Sequence, residues 1–232
     1  MFKNYFKTAL KALSKNKGFT AVNLTGLSVG IATCLLIVFY VINELSYDKY
    51  NANTNNIYRI TENVRLNGNE GSYAGTVQLL KEALTSLPEI DKTSRLVPKS
   101  SLFLSPQKFF VKKVNTSIGE TNVVYTESSL FDVFTLSMVD GNASASLSEP
   151  NSPVITESTA KKYFNQTDVV GRTIAINDSN VYKISGIIID VPAQSHFNYD
   201  FFLSYSSIPE SKNNGWGHSG IHNYVLVKPG AG

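Results

Sequence analysis

Hydrophobic and polar positions are arranged in three successive patterns along the chain. Over residues 2–15, Phe2, Phe6, Ala9, Leu10 and Leu13 fall on one arc of a helical wheel. Lys3, Lys7, Lys11 and Lys15 recur every fourth position at the margin of that arc and beyond it, which predicts an amphipathic helix. Asn16-Lys17-Gly18 interrupts the pattern. From Phe19 to Asn43 no residue is charged; as a helix this run is roughly 37 Å long, enough to cross a hydrocarbon core of about 30 Å. The most apolar part is Val29–Ile42, and the pattern predicts a transmembrane helix. A cleaved signal peptide would carry a shorter apolar run of about 7–15 residues and a small-residue cleavage site. Here the run ends in Tyr40-Val41-Ile42-Asn43-Glu44. A lipid-anchored Cys34 would follow Ile31-Ala32-Thr33, a poor context for it, and would leave Leu35–Phe39 as the mature start.

Beyond Glu44 the period shortens. Ile57-Tyr58-Arg59-Ile60 predicts a strand running toward Leu66, closed by a turn at Asn67–Gly71. Val77, Leu79, Leu80, Ala83, Leu84 and Leu87 recur at helical spacing, and Pro88 stops that helix. Ser101–Leu104, Phe109–Val114, Val123–Thr126 and Phe134–Val139 are strand candidates, followed by a loop over Gly141–Pro153 that is rich in Ser, Ala and Asn. A short helix spans about Ser158–Phe164, ending near Asn165. Gly171-Arg172 leads into a strand at Thr173–Ile176. Tyr182–Asp190 reads as one long strand with Ile184, Ile187, Ile188 and Ile189 buried on both faces, ended by Pro192. Tyr199–Tyr205 and Tyr224–Val227 are further strands. Many strands with two modest helices predict an α+β fold.

Charge orients this arrangement. Lys3, Lys7, Lys11, Lys15 and Lys17 precede the first acidic residue, Glu44; the other sixteen cations share positions 44–232 with all eighteen acids, a net charge of −2. The positive-inside rule then puts the N-terminus in the cytoplasm and everything after Glu44 outside it. The leading helix either lies in the headgroup region with its lysines toward anionic phosphates or serves only as a lysine-rich topology signal. A nucleic-acid partner is excluded, because the folded part lacks the spread of Lys and Arg it needs. With Cys34 in the apolar segment as the only cysteine, the exported part has no disulfide and rests on burial and hydrogen bonding.

Candidate chemistry is sparse. Gly26 and Gly30 form a G-x-x-x-G pattern that would let a partner helix approach closely, although Gly is common in membrane helices in any case. His218 and His222 have helical metal-ligand spacing, but the residues between them are loop-like and no Glu accompanies them. Asp190, His196 and Asp200 could suggest acid–base work; a structural role for His196 between two strands is the simpler reading, with Asp190 and Pro192 turning the chain. No phosphate loop, dinucleotide loop, G-x-S-x-G or C-x-x-C occurs. Composition and spacing therefore stop at a membrane-anchored exported domain that is not an enzyme, binds no cofactor and holds no metal.

The same stretches resemble the MacB-type (FtsX-like) ABC transporter permeases, with the Bacteroidota-like versions nearest. Met1-Phe2-Lys3-Asn4-Tyr5-Phe6-Lys7, Asn16-Lys17-Gly18-Phe19, Gly26, Gly30 and the exit Asn43-Glu44-Leu45-Ser46-Tyr47-Asp48 are similar to that family's N-terminal membrane segment. Ile57-Tyr58-Arg59-Ile60 resembles the strand that opens its periplasmic core domain. Further matches are Ser128-Ser129-Leu130-Phe131-Asp132-Val133-Phe134 with Asp140-Gly141, and Val154-Ile155-Thr156-Glu157-Ser158 with Ala160-Lys161-Lys162-Tyr163-Phe164. Val170-Gly171-Arg172-Thr173-Ile174 and Asp190-Val191-Pro192 leading to Ser195-His196-Phe197 complete the series.

The resemblance implies a surface helix over residues 1–17, a transmembrane helix over 18–45, and a porter-like α+β periplasmic core domain over 46–232 with a β-rich insert at about 100–150. It implies a permease subunit in the bacterial inner membrane, here an N-terminal fragment ending before any second span. ATP would be hydrolysed by a separate ABC ATPase subunit, and nucleotide-driven motion would pass to the periplasmic domain for efflux or export. Its partners would be that ATPase, a second permease protomer, the lipid bilayer and, in some members, a periplasmic adaptor and outer-membrane channel. The alternative from another class is a single-span membrane-anchored receptor or sensor whose exported domain binds a ligand. The 17 residues before the span leave no room for its signalling domain, and the gene sequence beyond Gly232 would separate the two.

Overall fold

The computed structural model describes residues 2–66, 68–101, 109–114, 116–177, 180–212 and 220–230. The chain divides into two compact units, Met1–Tyr47 and Asp48–Gly232.

The first unit is two helices, α1 (Phe2–Lys15) and α2 (Lys17–Leu45), with Asn16 between them outside the helical region at φ −110° and ψ 62°. None of the 29 residues of α2 is buried. At about 1.5 Å per residue it is roughly 43 Å long, and it is the one helix among the described residues long and apolar enough to cross a membrane.

The second unit begins with strands β1 (Ile57–Arg59), β2 (Glu62–Leu66) and β3 (Asn69–Tyr73), helix α3 (Leu80–Thr85) and β4 (Ile90–Pro98). Then come β5 (Phe110–Lys113), β6 (Thr116–Gly119), β7 (Val123–Thr126), α4 (Leu130–Val133), β8 (Met138–Gly141), β9 (Val154–Thr156) and α5 (Glu157–Phe164). The last strands are β10 (Thr173–Ile176), β11 (Asn180–Lys183), β12 (Gly186–Ile188), β13 (Phe201–Ser204) and β14 (His222–Val227). Eight strands form one mixed sheet in the order β1-β14-β4-β7-β13-β9-β12-β8; four more form an antiparallel sheet, β11-β10-β5-β6, and β2 with β3 forms a separate hairpin.

The central strands of the large sheet are apolar at consecutive positions because both of their faces are covered. Val123, Phe201, Ile155 and Ile187 lie side by side across four strands and pack toward Val111, Ile174 and Ile176 of the small sheet. Their neighbours Val124, Phe202, Val154 and Ile188 point the other way, against Leu130, Val133 and Phe134. Helix α5 starts where the Thr156 side chain accepts from the Thr159 N–H and stops at Asn165, whose φ of +57° is left-handed.

Several elements differ from the sequence reading. The single strand expected over Tyr182–Asp190 is two strands in different sheets. The ladder breaks at Ile184-Ser185, whose N–H groups bond instead to Arg172 and Pro153 carbonyls. Ile189 is exposed rather than buried. Phe134–Leu136 is irregular, because Phe134 fills the core beside the short helix α4, and only the end of the expected strand joins β8. The helix expected from Val77 to Leu87 is confined to Leu80–Thr85. Strands β4, β6 and β9 carry no clear alternation. Of the Ser101–Leu104 candidate, residues 102–104 lie outside the described residues.

Candidate functional site

Asp48 opens the second unit, three positions beyond the last residue of α2. Its φ of +59° is left-handed, a conformation that Asp tolerates better than most residues. That backbone turn lets Asp48 bond in two directions. Its N–H donates to the Gln194 carbonyl at 2.8 Å. Its Oδ1 accepts from the His196 N–H at 3.1 Å and lies 2.8 Å from His196 Nδ1. On the other side of the ring, His196 Nε2 is 2.8 Å from the Tyr224 hydroxyl on β14. The carboxylate lies against Nδ1 and the phenol against Nε2, so both ring nitrogens have a partner.

The next residues repeat the arrangement. Tyr50 and Ser195 share a hydroxyl–hydroxyl bond of 3.0 Å. Buried Asn51 accepts the Thr135 N–H at 2.9 Å through Oδ1, and Thr135 Oγ1 accepts the Ala52 N–H at 2.9 Å. Edge-on contacts of Phe134 with Phe197 and Tyr224, centroids 5.1 and 5.0 Å apart, make the floor. Asp48, Tyr50, Asn51 and Ala52 are thus clamped to the loop before β13, to the segment after α4, and through His196 to β14.

Burial pushes the Tyr224 hydroxyl far up, only partly offset by Arg59 opposite it on β1, and burial also raises Tyr50 against the bond from Ser195. His222 is held below its ordinary value, first by burial and then by the charges of Arg59 and His196. A carboxylate–imidazole–hydroxyl series has the form of a hydrolytic relay. Here its hydroxyl belongs to Tyr224, which is 3 % exposed, so no substrate carbonyl reaches it. The arrangement holds chain segments together.

The other expected residues separate. Asp190 accepts from the Ser158 N–H at 2.9 Å and from the Ser158 hydroxyl, at the first turn of α5. Burial opposes its charge, but those bonds together with Thr156 and Lys161 outweigh it and hold the carboxyl below the usual range. Asp200 accepts from Asn122 Nδ2 at 3.0 Å. Asp190, His196 and Asp200 therefore serve three different contacts. Pro192 follows β12, and its carbonyl accepts from the Ser195 N–H at 3.0 Å.

Lys7, Lys11, Lys15 and Lys17 are exposed on α1 and the start of α2, with Lys3 one turn earlier. Gly26 and Gly30 share a face of α2 with Leu27, Ile31 and Cys34, and nothing lies within 4 Å of a Cβ placed on either glycine. His218 lies outside the described residues. His222 lines a cleft of about 520 Å³ with Glu62, Tyr73, Pro98 and Ser100. Among the described residues no three His, Cys, Asp or Glu side chains converge.

Sequence reasoning missed Asp48, Tyr50, Asn51 and Tyr224; the turn-like, aromatic run Ser46–Asn51 was the available signal. It also missed a charged cluster in which Arg95, 5 % exposed at its side chain, lies 2.6 Å from Glu82 and 3.0 Å from Glu127, with Lys81 paired to Glu127.

Comparison with known proteins agrees with this architecture. A domain named for a permease protein from Porphyromonas gingivalis superposes with a TM-score of 0.61 at 21 % identity, over 75 % of this chain and 76 % of that one. The extracellular domain of the noncanonic ABC-type transporter YknZ from Gram-positive bacteria gives 0.50 at 12 %, over 75 % and 83 %. The periplasmic region of MacB from Actinobacillus actinomycetemcomitans gives 0.49 at 17 %, over 67 % and 66 %. No curated protein matches. The profile of the MacB-like periplasmic core domain matches residues 20–232, so the apolar helix and the mixed-sheet unit together place this chain in that family.

Proposed function

We propose that this chain is the N-terminal part of a permease subunit of a MacB/FtsX-type ABC transporter, which passes ATPase-driven motion to a periplasmic domain for efflux or export. Residues 1–17 form the cytoplasmic surface helix, 18–45 the inner-membrane span and 46–232 the periplasmic core domain. ATP hydrolysis belongs to a separate subunit, and a second protomer completes the permease, with Gly26 and Gly30 on the helix-packing face. Lysines 3, 7, 11, 15 and 17 hold the N-terminus in the cytoplasm.

The observation that carries this reading is the clamp on residues 48–52. A membrane helix followed by a loose linker would lose any displacement in the linker. Here the chain is bonded to the domain from Asp48 onward, through Gln194, His196, Ser195 and Thr135. The test uses the whole permease with its ATPase, reconstituted in lipid. Paired spin labels, one at the end of the helix and one in the domain, report their separation with and without nucleotide. Asp48→Ala combined with His196→Ala should leave ATP hydrolysis in place and shrink the nucleotide-dependent change in separation. An unchanged response would refute transmission through the clamp.

A further inference from the structure

Helix α1 presents an apolar strip that nothing in its own unit covers. Phe6 is 70 % exposed, Leu10 52 % and Leu13 51 %. Large apolar side chains gathered on one face point to a surface that is covered in use, and the position of α1 limits what covers it.

One residue, Asn16, separates the end of α1 from the start of α2. The helical ladder breaks there, and a side chain bridges the break. Thr20 Oγ1 donates to the Leu13 carbonyl at 2.9 Å, which occupies an acceptor that a continuing helix would have given to an N–H. The Thr20 N–H donates to the Asn16 carbonyl at 3.0 Å, and the Asn16 N–H to Ala12 at 3.4 Å. The elbow is therefore built from bonds on both sides. If α2 spans the membrane, this elbow stands where the chain enters it, and α1 begins at the bilayer surface.

Charge selects the cover. α1 carries Lys7, Lys11 and Lys15 beside Lys3, has Lys17 directly after it, and contains no acidic residue. Ammonium groups bordering an apolar strip complement a surface that is anionic outside and hydrocarbon beneath.

We propose that α1 is an anionic-lipid anchor: its Phe6–Leu10–Leu13 face enters the headgroup–acyl boundary, its lysines bind acidic phospholipid headgroups, and the Thr20–Leu13 bond sets its pose. This rests on the reading of α2 as the span. The test uses the full chain carrying Cys34→Ser with Leu10→Cys or Lys11→Cys, nitroxide-labelled and reconstituted in vesicles of phosphatidylcholine alone or mixed with phosphatidylglycerol. Power saturation compares accessibility to oxygen with accessibility to an aqueous nickel chelate. With phosphatidylglycerol present, the label at 10 should favour oxygen severalfold over the label at 11. Lys7→Gln with Lys15→Gln should reduce that preference, and Thr20→Val should abolish the difference between the two positions. Equal accessibility at 10 and 11 overturns the anchor. Equal burial without phosphatidylglycerol overturns its preference for anionic lipid, an unaffected Thr20→Val profile overturns the elbow, and burial that appears only on adding the ATPase assigns the strip to a protein. Protection of residues 48–232 from external protease in the same vesicles reads the span separately, so a failed anchor and a failed span are told apart.

Discussion

The imidazole Nδ1 of His196 lies 2.8 Å from the carboxylate of Asp48 across a sequence separation of 148 residues. Such a contact closes a long loop, so it forms only when β14, the loop before β13 and the chain entering the unit are all in place. It reports directly on whether the start of the domain is docked.

Asp48→Ala and His196→Ala should each destabilise the unit Asp48–Gly232. Both side chains are about a quarter to a third exposed, which screens the charge component, while the hydrogen bonds remain at about 1–2 kcal/mol per variant. At this size that lowers the melting temperature by about 2–4 °C per kcal/mol. In a double-mutant cycle the two losses should fall short of adding. Strict additivity would mean that the two residues do not support each other.

His222 makes stability depend on pH near neutrality. Its folded pKa lies below its ordinary value through burial, Arg59 and His196. As pH falls below about 6.5, the unfolded chain takes up a proton that the folded chain resists, so stability is full above that pH and declines beneath it. His222→Gln should flatten the fall in melting temperature between roughly pH 7 and pH 5. An equally steep fall in the variant would remove His222 as its source.

The ease of reading the sequence follows where apolar contrast is strong. Val123–Thr126 and Thr173–Ile176 coincide with β7 and β10, and the helix over 158–164 with α5, because each sets a β-branched run or a capped apolar face between polar turns. β4 was illegible for the opposite reason: Thr93, Ser94 and Arg95 are buried polar residues in its middle. Arg95 is met there by Glu82, Glu127 and the Gln78 carbonyl and Thr93 by the Thr85 hydroxyl, while the Ser94 hydroxyl has no hydrogen-bond partner among the described residues. The clamp was hidden likewise, since nothing local to Asp48 announces a partner at His196. Asp190 and His196 stood close enough in sequence to suggest one site; the backbone turn at Pro192 sends them to different elements.

Asp190 should matter most near neutral pH and least in acid. Its carboxyl is held low by Ser158, Thr156 and Lys161 against the cost of burial, and it lies at the positive end of α5, which favours its charge. A depressed carboxylate contributes stability above its ordinary pKa of about 3.9 and loses it as pH falls through the lower folded value. Asp190→Ala should therefore lower the melting temperature at pH 7 and approach wild type toward about pH 3. A constant difference across that range would assign the loss to packing alone.

Around Arg95, the two glutamates should not be equivalent. Glu127 is 26 % exposed and Glu82 57 % at the side chain, against 5 % for Arg95. Removing the more buried partner leaves the guanidinium less compensated, as well as freeing Lys81, and such losses run to about 3 kcal/mol or more. Glu82→Ala, at the wetter end, should cost under about 1 kcal/mol. Urea midpoints would rank them, and a larger loss for Glu82→Ala would reverse the assignment of Glu127 as the main counter-charge.

At Gly75 a single methyl group should do heavy damage through packing alone. A Cβ at that position would stand 2.6 Å from the Gly220 Cα and 3.1 Å from its nitrogen, both backbone atoms. The neighbouring residues cannot move apart cheaply. Thr76 and Ile221 exchange backbone bonds of 2.8 and 3.2 Å, Thr76 Oγ1 donates to the Ile221 carbonyl at 2.9 Å, and Asn223 Nδ2 donates to Thr76 Oγ1 at 2.9 Å. Relieving the clash therefore means opening this buried network, whereas overpacking against a flexible side chain would be absorbed. Gly75→Ala should cost about 2–3 kcal/mol, the upper part of the range for overpacked sites. Gly171 supplies the control: its φ of +83° strains any side chain, but nothing lies within 4 Å of its Cβ, so Gly171→Ala should cost only about 1 kcal/mol. Chemical denaturation of both variants decides the matter, since equal losses would mean that the Gly75–Gly220 approach yields without disturbing the bonds beside it.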